Sequence, residues 1–195
     1  EQWKAEGLPP ADYRAALADA LKNFADASGQ FFDPSLPALL LPMKTMRRKN
    51  ILEALLLAAL FQRMGRRFQL LISLEANSPP DIAYSALLKQ FAAAKEMPVV
   101  AGFGNELIAA GGRRVIRDAS PALFSLGDSI AFSKAVLTTS IVEGFGFVYH
   151  EGWLAGRPVI GRKIPEIVHD FQSNGMKFHH MYDTFCVPLG SFPDL

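Results

Sequence analysis

The segment Leu36 to Leu74, LPALLLPMKTMRRKNILEALLLAALFQRMGRRFQLLISL, is the clearest indication of the fold class of this chain. Its two ends, LPALLLP and RFQLLISL, are short and apolar on both faces, which is typical of strands buried inside a sheet. Between them a polar turn, MKTMRRK, leads into a long apolar helix that Gly65 ends. A strand, a helix and a second strand in this order predict a parallel β–α–β unit.

The same alternation continues along the chain. The elements predicted after Leu74 are, in order, a helix from Ser78 to about Glu96, the strands PVVAGF and AVLTTS, the short helix VYHEGWLA, the strand RPVIG and the short helix IPEIVHDF. Connections between parallel strands are right-handed, so we expect an α/β fold with an open, doubly wound parallel sheet. Residues 36–195 would form this domain, and residues 1–35 a polar linker followed by an amphipathic helix from Ala11 to Ala27.

The composition excludes several classes of protein. The net charge is +1 over 195 residues, which argues against a nucleic-acid partner. The longest apolar run, Ala54 to Phe61, is far shorter than the ~20 residues of a spanning helix, so no transmembrane segment is expected. Cys186 is the single cysteine, which excludes an internal disulfide and favours a reducing compartment. The first residue is Glu rather than Met, which suggests a piece of a longer protein.

The loop after the predicted strand AVLTTS is suited to binding a polar ligand. In Glu143-Gly144-Phe145-Gly146-Phe147, two glycines around one phenylalanine allow the backbone to approach a ligand closely. The helix that follows offers free amide groups and the positive end of its dipole. Glu151, about one turn into that helix, can accept two hydrogen bonds from a vicinal diol such as a ribose, and Glu143 can accept from a second ring. On spacing alone, a glycine-bearing turn with solvated glutamates is an equal alternative.

A second candidate is the basic turn after the first strand, which contains Lys44, Arg47, Arg48 and Lys49. Four cations just before a helix oppose its dipole, which favours acids at that end. A bound diphosphate would remove this conflict, and an exposed basic turn is the alternative. Ligands of doubly wound sheets bind beyond the carboxyl ends of the strands, so we expect both loops at one edge of the sheet.

Several motifs around these loops resemble those of retaining GT-B glycosyltransferases of the group 1, or family 4, type. Glu143 and Glu151, with the GFG segment after the first of them, match the signature of that family. Further matches, in the family's order, are Leu126-Gly127-Asp128, Leu154–Gly161 and Ile164–Val168, which resemble its L-A-D, A-x-G-x-P-V-I and P-E-I-V segments. The resemblance covers roughly Pro42 to Gly175. It implies a Rossmann-like domain that forms one half of a GT-B architecture.

The resemblance implies roles for individual residues. Glu151 would bind the ribose of the nucleotide, and Glu143 would contact the transferred sugar as a catalytic group. Lys49 matches the lysine that holds the diphosphate and stabilises the leaving group. The backbone amides expected to contact the sugar are those of Gly144, Phe145, Gly146 and Phe147.

The chain departs from the family pattern at three places. Lys44 stands where the family has an arginine, so the fork of a guanidinium is lost there, and Arg47 or Arg48 would compensate. Val148 replaces a proline after the GFG segment, which puts the shape of that loop in doubt. Gly152-Trp153 replaces a common Ala-Met pair, which alters packing more than chemistry.

The implied function is that of a donor-binding domain, which takes part in the transfer of a sugar from a nucleoside diphosphate of the UDP or GDP type to a hydroxyl acceptor. No cofactor is expected, and the acceptor pocket would come largely from an N-terminal domain absent from this sequence. The fragment alone would therefore bind nucleotide weakly and be inactive. We expect a cytoplasmic protein, and peripheral membrane association of the full-length enzyme stays open.

Other interpretations remain beside this one. A non-catalytic nucleotide-binding module of the same fold is one, and another GT-B enzyme, a phosphorylase or a nucleotide-sugar epimerase, is another. Gly102-Phe103-Gly104 begins a dinucleotide-binding pattern, but Leu107 stands where its third glycine is needed. His179 and His180 have no cysteine or carboxylate at zinc-ligand spacing, so no metal site is expected.

Overall fold

The computed structural model describes residues 11–109, 112, 123–186 and 188. The strands are β1 (Ala38–Lys44), β2 (Gln69–Leu74), β3 (Val99–Ala101), β4 (Ala135–Thr138), β5 (Val159–Arg162) and β6 (Met181–Tyr182). The helices are α1 (Ala11–Ala27), α2 (Ile51–Arg63), α3 (Pro79–Ala94), α4 (Gly104–Leu107), α5 (Leu126–Phe132), α6 (Phe147–Leu154) and α7 (Pro165–Ser173). A 3-10 turn, Arg47–Lys49, lies between β1 and α2.

The strands form one sheet with the order β3–β2–β1–β4–β5–β6. All five neighbouring pairs are parallel, and Leu40 of β1 pairs with Leu71 of β2 on one side and Val136 of β4 on the other. These three residues are almost fully buried, so the centre of the sheet is also the centre of the core. The predicted doubly wound parallel sheet is confirmed. Its strand order reverses between β1 and β4, which is the place where such sheets bind ligands.

The first strand is longer than the predicted segment, which ended at Pro42. β1 continues to Lys44, and its register with β2 shifts between Leu41 and Lys44. Proline cannot donate to the hydrogen-bond ladder, so it is tolerated in a strand mainly at an edge or at such an irregularity. The strand therefore passes Pro42 and carries Lys44 to the carboxyl edge of the sheet.

Three elements were not predicted, namely α4, α5 and β6. α5 begins with a capping box, in which the Ser125 side chain accepts from the Asp128 amide and the Asp128 carboxylate accepts from the Ser125 amide. The residues Leu126-Gly127-Asp128, noted above only for their resemblance, form its first turn. α4 and β6 span four and two residues, too few to show a hydrophobic period.

The N-terminal helix packs on the sheet domain. α1 has the predicted bounds, and its residues Leu17, Leu21 and Ala25 are buried within the same hydrophobic core as the strands. Arg14 reaches from α1 to α5, where its guanidinium lies 5.0 Å from the centre of the Phe132 ring. The linker predicted for residues 1–10 lies outside the described residues.

Candidate functional site

Two loops meet at the carboxyl edge of the sheet, beside the point where the strand order reverses. One follows β1 and contains the 3-10 turn, and the other follows β4. The Thr139 hydroxyl donates to the carbonyl of Lys49 at 3.0 Å, and the Ile141 amide donates to the carbonyl of Arg48 at 3.0 Å. The basic turn and the glycine-bearing loop therefore share one edge, as their positions after parallel strands predict.

An ion pair joins the two loops through their side chains. The ammonium of Lys49 donates to Glu143 Oε1, and only 12% of the Lys49 side chain and 11% of the Glu143 side chain are exposed. Arg48 lies 3.9 Å from the other oxygen of Glu143 and donates to the carbonyl of Val142 at 3.3 Å. Two cations of the basic turn are thus held against one carboxylate in a sheltered position.

The remaining two cations of the basic turn have different surroundings. Arg47 lies 5.7 Å from the centre of the Tyr84 ring, and its amide donates to Asp81 at 3.4 Å. Lys44, the last residue of β1, is half-buried and has no ion pair within the described part of the chain. Its charge is therefore available to a bound anion, whereas the charge of Lys49 is shared with Glu143.

The two glycines that flank Phe145 differ in what the fold requires of them. Gly146, which precedes α6, has φ 67°, and a Cβ there would lie 2.9 Å from the Tyr149 ring. Glycine is therefore the residue that this backbone conformation and this packing allow. Gly144 does not have a positive φ, and nothing lies within 4 Å of a Cβ built on it. The fold would accept a side chain at Gly144, so a need for glycine there would come from a ligand.

The side chains of Phe145 and Phe147 lie at the surface beside this loop. They are 78% and 66% exposed, and their ring centres are 5.7 Å apart. Sequence reasoning considered only their backbone amides. The structure adds two exposed apolar rings next to Glu143, an arrangement that suits contact with the C–H face of a sugar or with another protein surface.

The second glutamate of the motif lies on α6. Glu151 is half-buried, and its carboxyl group has no hydrogen-bond or ion-pair partner within the described residues. Burial raises the pKa of its carboxyl above the ordinary value. A half-buried carboxyl group without a partner is costly unless a ligand supplies donors, so Glu151 is suited to bind the hydroxyl groups of a ligand.

The helix that carries Glu151 is anchored by Tyr149. This side chain is fully buried, its hydroxyl accepts from the amide of Ile164 at 3.2 Å, and its ring packs edge-on against Phe178 with 5.6 Å between ring centres. Burial raises the pKa of Tyr149. The anchor explains how α6 keeps Glu151 at one place relative to β5 and α7 although the loop before the helix is largely exposed.

Gly152 of α6 shows why this chain lacks the alanine common in the family it resembles. A Cβ there would lie 2.6 Å from a methyl group of Val159 and 3.2 Å from the carbonyl of Arg157. Glycine at position 152 therefore allows α6 to pack closely on β5.

A network that sequence reasoning missed lies beside the basic turn. Glu53, in the first turn of α2, accepts hydrogen bonds from Arg162 at 2.6 and 3.2 Å, from the Tyr182 hydroxyl at 2.6 Å and from Asn50 at 2.8 Å. In the sequence Glu53 has the appearance of an acid that stabilises a helix start, and only the sheet order brings β5 and β6 to it.

The other candidates raised by the sequence have structural explanations. Gly102 has φ 87°, a conformation that favours glycine, and a Cβ on Gly104 would lie 2.6 Å from the carbonyl of Ser73, so the fold accounts for both glycines. Within the described ranges, no cluster of His, Cys, Asp and Glu is arranged to hold a metal ion. Nor is any helix there long and apolar enough to cross a membrane.

Comparison with known proteins gives one informative similarity. No protein-family profile matches the chain. The chain is 30% identical over 171 residues to the mannosylglucosyl-3-phosphoglycerate synthase of Petrotoga mobilis. The aligned region covers 88% of this chain but 30% of that protein, so the chain spans less than a third of the length of this relative.

Proposed function

We propose that this chain is the donor-binding domain of a retaining GT-B glycosyltransferase, which transfers a sugar from a nucleoside diphosphate to a hydroxyl acceptor. The similarity to a synthase that is itself a glycosyltransferase supports sugar transfer. The parallel sheet and the motifs at its carboxyl edge support the role of donor binding.

One observation carries this proposal. At the edge where the strand order reverses, the Lys49–Glu143 pair lies at the start of the loop that leads to α6, and α6 carries the unpartnered carboxyl of Glu151. Cations suit a diphosphate, a carboxylate without a partner suits the diol of a ribose, and an acid beside a glycine-bearing loop suits a sugar ring. The three groups together match the three parts of a nucleoside diphosphate sugar.

In the proposed reaction, the bond between the anomeric carbon and the diphosphate oxygen breaks, and the electron pair stays on the diphosphate. The acceptor hydroxyl oxygen bonds to the anomeric carbon on the face that the leaving group vacates, and its proton passes to the leaving diphosphate. Lys49, with Lys44 or Arg48, stabilises the negative charge that develops, which is stabilisation of the transition state rather than binding alone. Glu143 orients the sugar.

Donor binding requires the Lys49–Glu143 pair to open in part. A diphosphate that contacts Lys49 competes with Glu143 for its ammonium, and a sugar hydroxyl can then donate to the carboxylate. Lys44 needs no such exchange, because it has no ion pair within the described part of the chain. We therefore expect weak binding of nucleotide alone and tighter binding of a complete nucleotide sugar.

Catalysis requires a second domain that builds the acceptor pocket and excludes water on closure. We propose that this domain belongs to the longer protein of which the chain is part. The 195-residue chain should then bind nucleotide without sugar transfer. Transfer of sugar to an acceptor by this chain alone would refute this part of the proposal.

The test is calorimetric titration of the chain with UDP, GDP and ADP, in parallel with a Glu151→Ala variant. Binding of one nucleotide, weakened by the substitution, would support the proposal and identify the base. Asp170→Ala, which removes an exposed acid on α7, is the matched control and should bind as the wild type does. Absence of binding to all three by the folded chain would contradict nucleotide-donor binding and favour a non-catalytic module of the same fold.

A further inference from the structure

The network around Glu53 has no role in the proposed contacts with the donor. The side chain of Glu53 is 10% exposed and that of Arg162 is 21% exposed, so the pair is largely sheltered from water. The Arg162 guanidinium donates hydrogen bonds to both carboxylate oxygens of Glu53, and its third nitrogen donates to the carbonyl of Asp183 at 3.0 Å. This geometry uses the full fork of an arginine, which holds its partner in one orientation.

The network reaches the basic turn through Asn50. This residue has φ 49°, a left-handed conformation that asparagine tolerates better than most side chains, and it separates the 3-10 turn from α2. Its side chain makes no capping bond at the helix start and donates instead to the Glu53 carboxylate at 2.8 Å. Lys49 directly precedes Asn50 in the chain, so a contact that holds Asn50 also restrains the main chain of the turn at Lys49.

The charges in the network are balanced against each other. Glu53 lies in the first turn of α2, where an acid stabilises the helix but would repel a diphosphate bound at the same helix start. Arg162 neutralises it, and the Tyr182 hydroxyl donates to it at 2.6 Å. The hydrogen bond to Glu53 is the main reason that the pKa of Arg162 is raised, so this cation stays charged beside its acid. A carboxylate can thus organise an anion site without repelling the anion.

We propose that Glu53 is a positioning residue that holds the turn carrying Lys49 through Asn50, and ties this turn to β5 and β6 through Arg162 and Tyr182. The expected consequence is that the Lys49 ammonium is aligned with a bound diphosphate, and this part of the inference rests on the proposed function. Its structural content, that Glu53 controls the Lys49–Glu143 pair, is independent of any ligand.

The first test measures the affinity of the 195-residue chain for inorganic pyrophosphate by calorimetry. Asn50→Gly removes the link to Glu53 while glycine accepts the positive φ without strain. Glu53→Gln keeps the volume of the side chain and removes its charge. We expect each variant to bind pyrophosphate about fivefold to tenfold more weakly, since tenfold corresponds to about 1.4 kcal/mol. Glu75→Gln, which removes the partner of Lys89 away from the basic turn, is the control for loss of an ion pair alone.

A double-mutant cycle separates positioning from general loss of stability. In a Lys49→Met background, Asn50→Gly and Glu53→Gln should have no further effect on pyrophosphate binding, because they act through Lys49. Equal losses with and without Lys49 would overturn the inference.

A second readout needs no ligand and keeps the inference distinct from the proposed function. The ammonium group of Lys49 is sheltered by Glu143, so its proton–nitrogen NMR signal should be visible in the wild type and in Glu75→Gln. We expect it to broaden or shift in Asn50→Gly and Glu53→Gln. If the wild type binds no diphosphate, the proposed function fails, while an unchanged Lys49 signal in both variants would overturn the positioning role by itself.

Discussion

Lys49 and Glu143 are 94 positions apart in the sequence and form one sheltered ion pair across the two central strands of the sheet. Lys49 follows β1 and Glu143 follows β4. These strands are neighbours in the sheet, and the strand order reverses between them. The pair therefore marks the place where a ligand of this fold is expected, and under the proposed function it would supply a cation for a phosphate and an acid for a hydroxyl group.

The first prediction concerns the cation of this pair. Lys49→Met should weaken binding of a nucleoside diphosphate by about tenfold to a hundredfold, since a charge-assisted hydrogen bond contributes about 1.5–3 kcal/mol. Binding of the corresponding nucleoside, which has no phosphate, should hardly change. Calorimetric titration of both ligands gives the comparison. Lys22→Met on α1, which removes an exposed lysine paired with Asp26, is the control, and an equal loss in it would count against a specific site.

The second prediction uses the different requirements of the two loop glycines. Gly144→Ala should leave the melting temperature unchanged, because a Cβ there meets open space, but should weaken nucleotide-sugar binding if the backbone approaches the ligand. Gly146→Ala should destabilise the fold by at least about 2 kcal/mol, since alanine disfavours a positive φ and its Cβ would crowd Tyr149. Thermal unfolding and titration of both variants check this. Full affinity in Gly144→Ala would show that no ligand packs against that backbone.

The third prediction concerns pH and Glu151. Burial raises the pKa of this carboxyl above its ordinary value of 4.5, so the folded state holds the proton more tightly than the unfolded state does. Its contribution to stability is complete below pH 4.5 and is lost as the pH rises through the raised pKa. Glu151→Gln should therefore melt at a higher temperature than the wild type at neutral pH, and the gain should shrink as the pH falls.

The same variant should bind nucleotide less well, because an amide replaces the charged acceptor of the ribose diol. Higher stability with lower affinity is the combination expected of a residue kept for binding. Asp170→Asn, an exposed acid on α7, should show neither effect in the same melting and titration series. If Glu151→Gln melts lower at neutral pH, the carboxyl has a structural partner and the assignment to the ribose fails.

The fourth prediction compares two adjacent buried threonines at the end of β4. The Thr139 hydroxyl donates to the carbonyl of Lys49, whereas the Thr138 hydroxyl is buried without a hydrogen-bond partner in the described part of the chain. Thr139→Val should cost about 1 kcal/mol and weaken diphosphate binding, because it frees the basic turn. Thr138→Val should be neutral or stabilising by up to about 1 kcal/mol. Chemical denaturation of both variants measures this, and the reverse order would contradict the assignment of the hydrogen bonds.

The fold could be predicted where the local pattern was strong. The apolar segments that became β2 and β4 and the long helix α2 needed only hydrophobic runs, their lengths and a closing glycine. Pro42 has no amide hydrogen to donate to β2. β1 extends past it because the register with β2 shifts between Leu41 and Lys44, so that no hydrogen bond from Pro42 is needed. α5 was missed because its seven residues are almost all buried, so that it lacks the amphipathic period on which a helix prediction depends.

Part of the candidate site could also be proposed from local sequence patterns. Glu143, Glu151 and the basic turn lie in short motifs, so their residue types and spacing were visible in the sequence. The network of Glu53 with Arg162 and Tyr182 was not, because its members are 109 and 129 positions apart and each looks ordinary in its own segment.

The alternation of buried strands and helices could be predicted from the sequence alone, and so could the grouping of four cations near the end of β1 and of two acids after β4. Local conformational preference and hydrophobic period depend on residues a few positions apart, so they can be recognised directly in the sequence. Three relationships became visible in the folded chain alone: Lys49 pairs with Glu143, Lys44 has no ion pair among the described residues, and Glu53 is held by Arg162. Those relationships depend on the order of strands in the sheet, because this order brings together residues that have no local signal for one another.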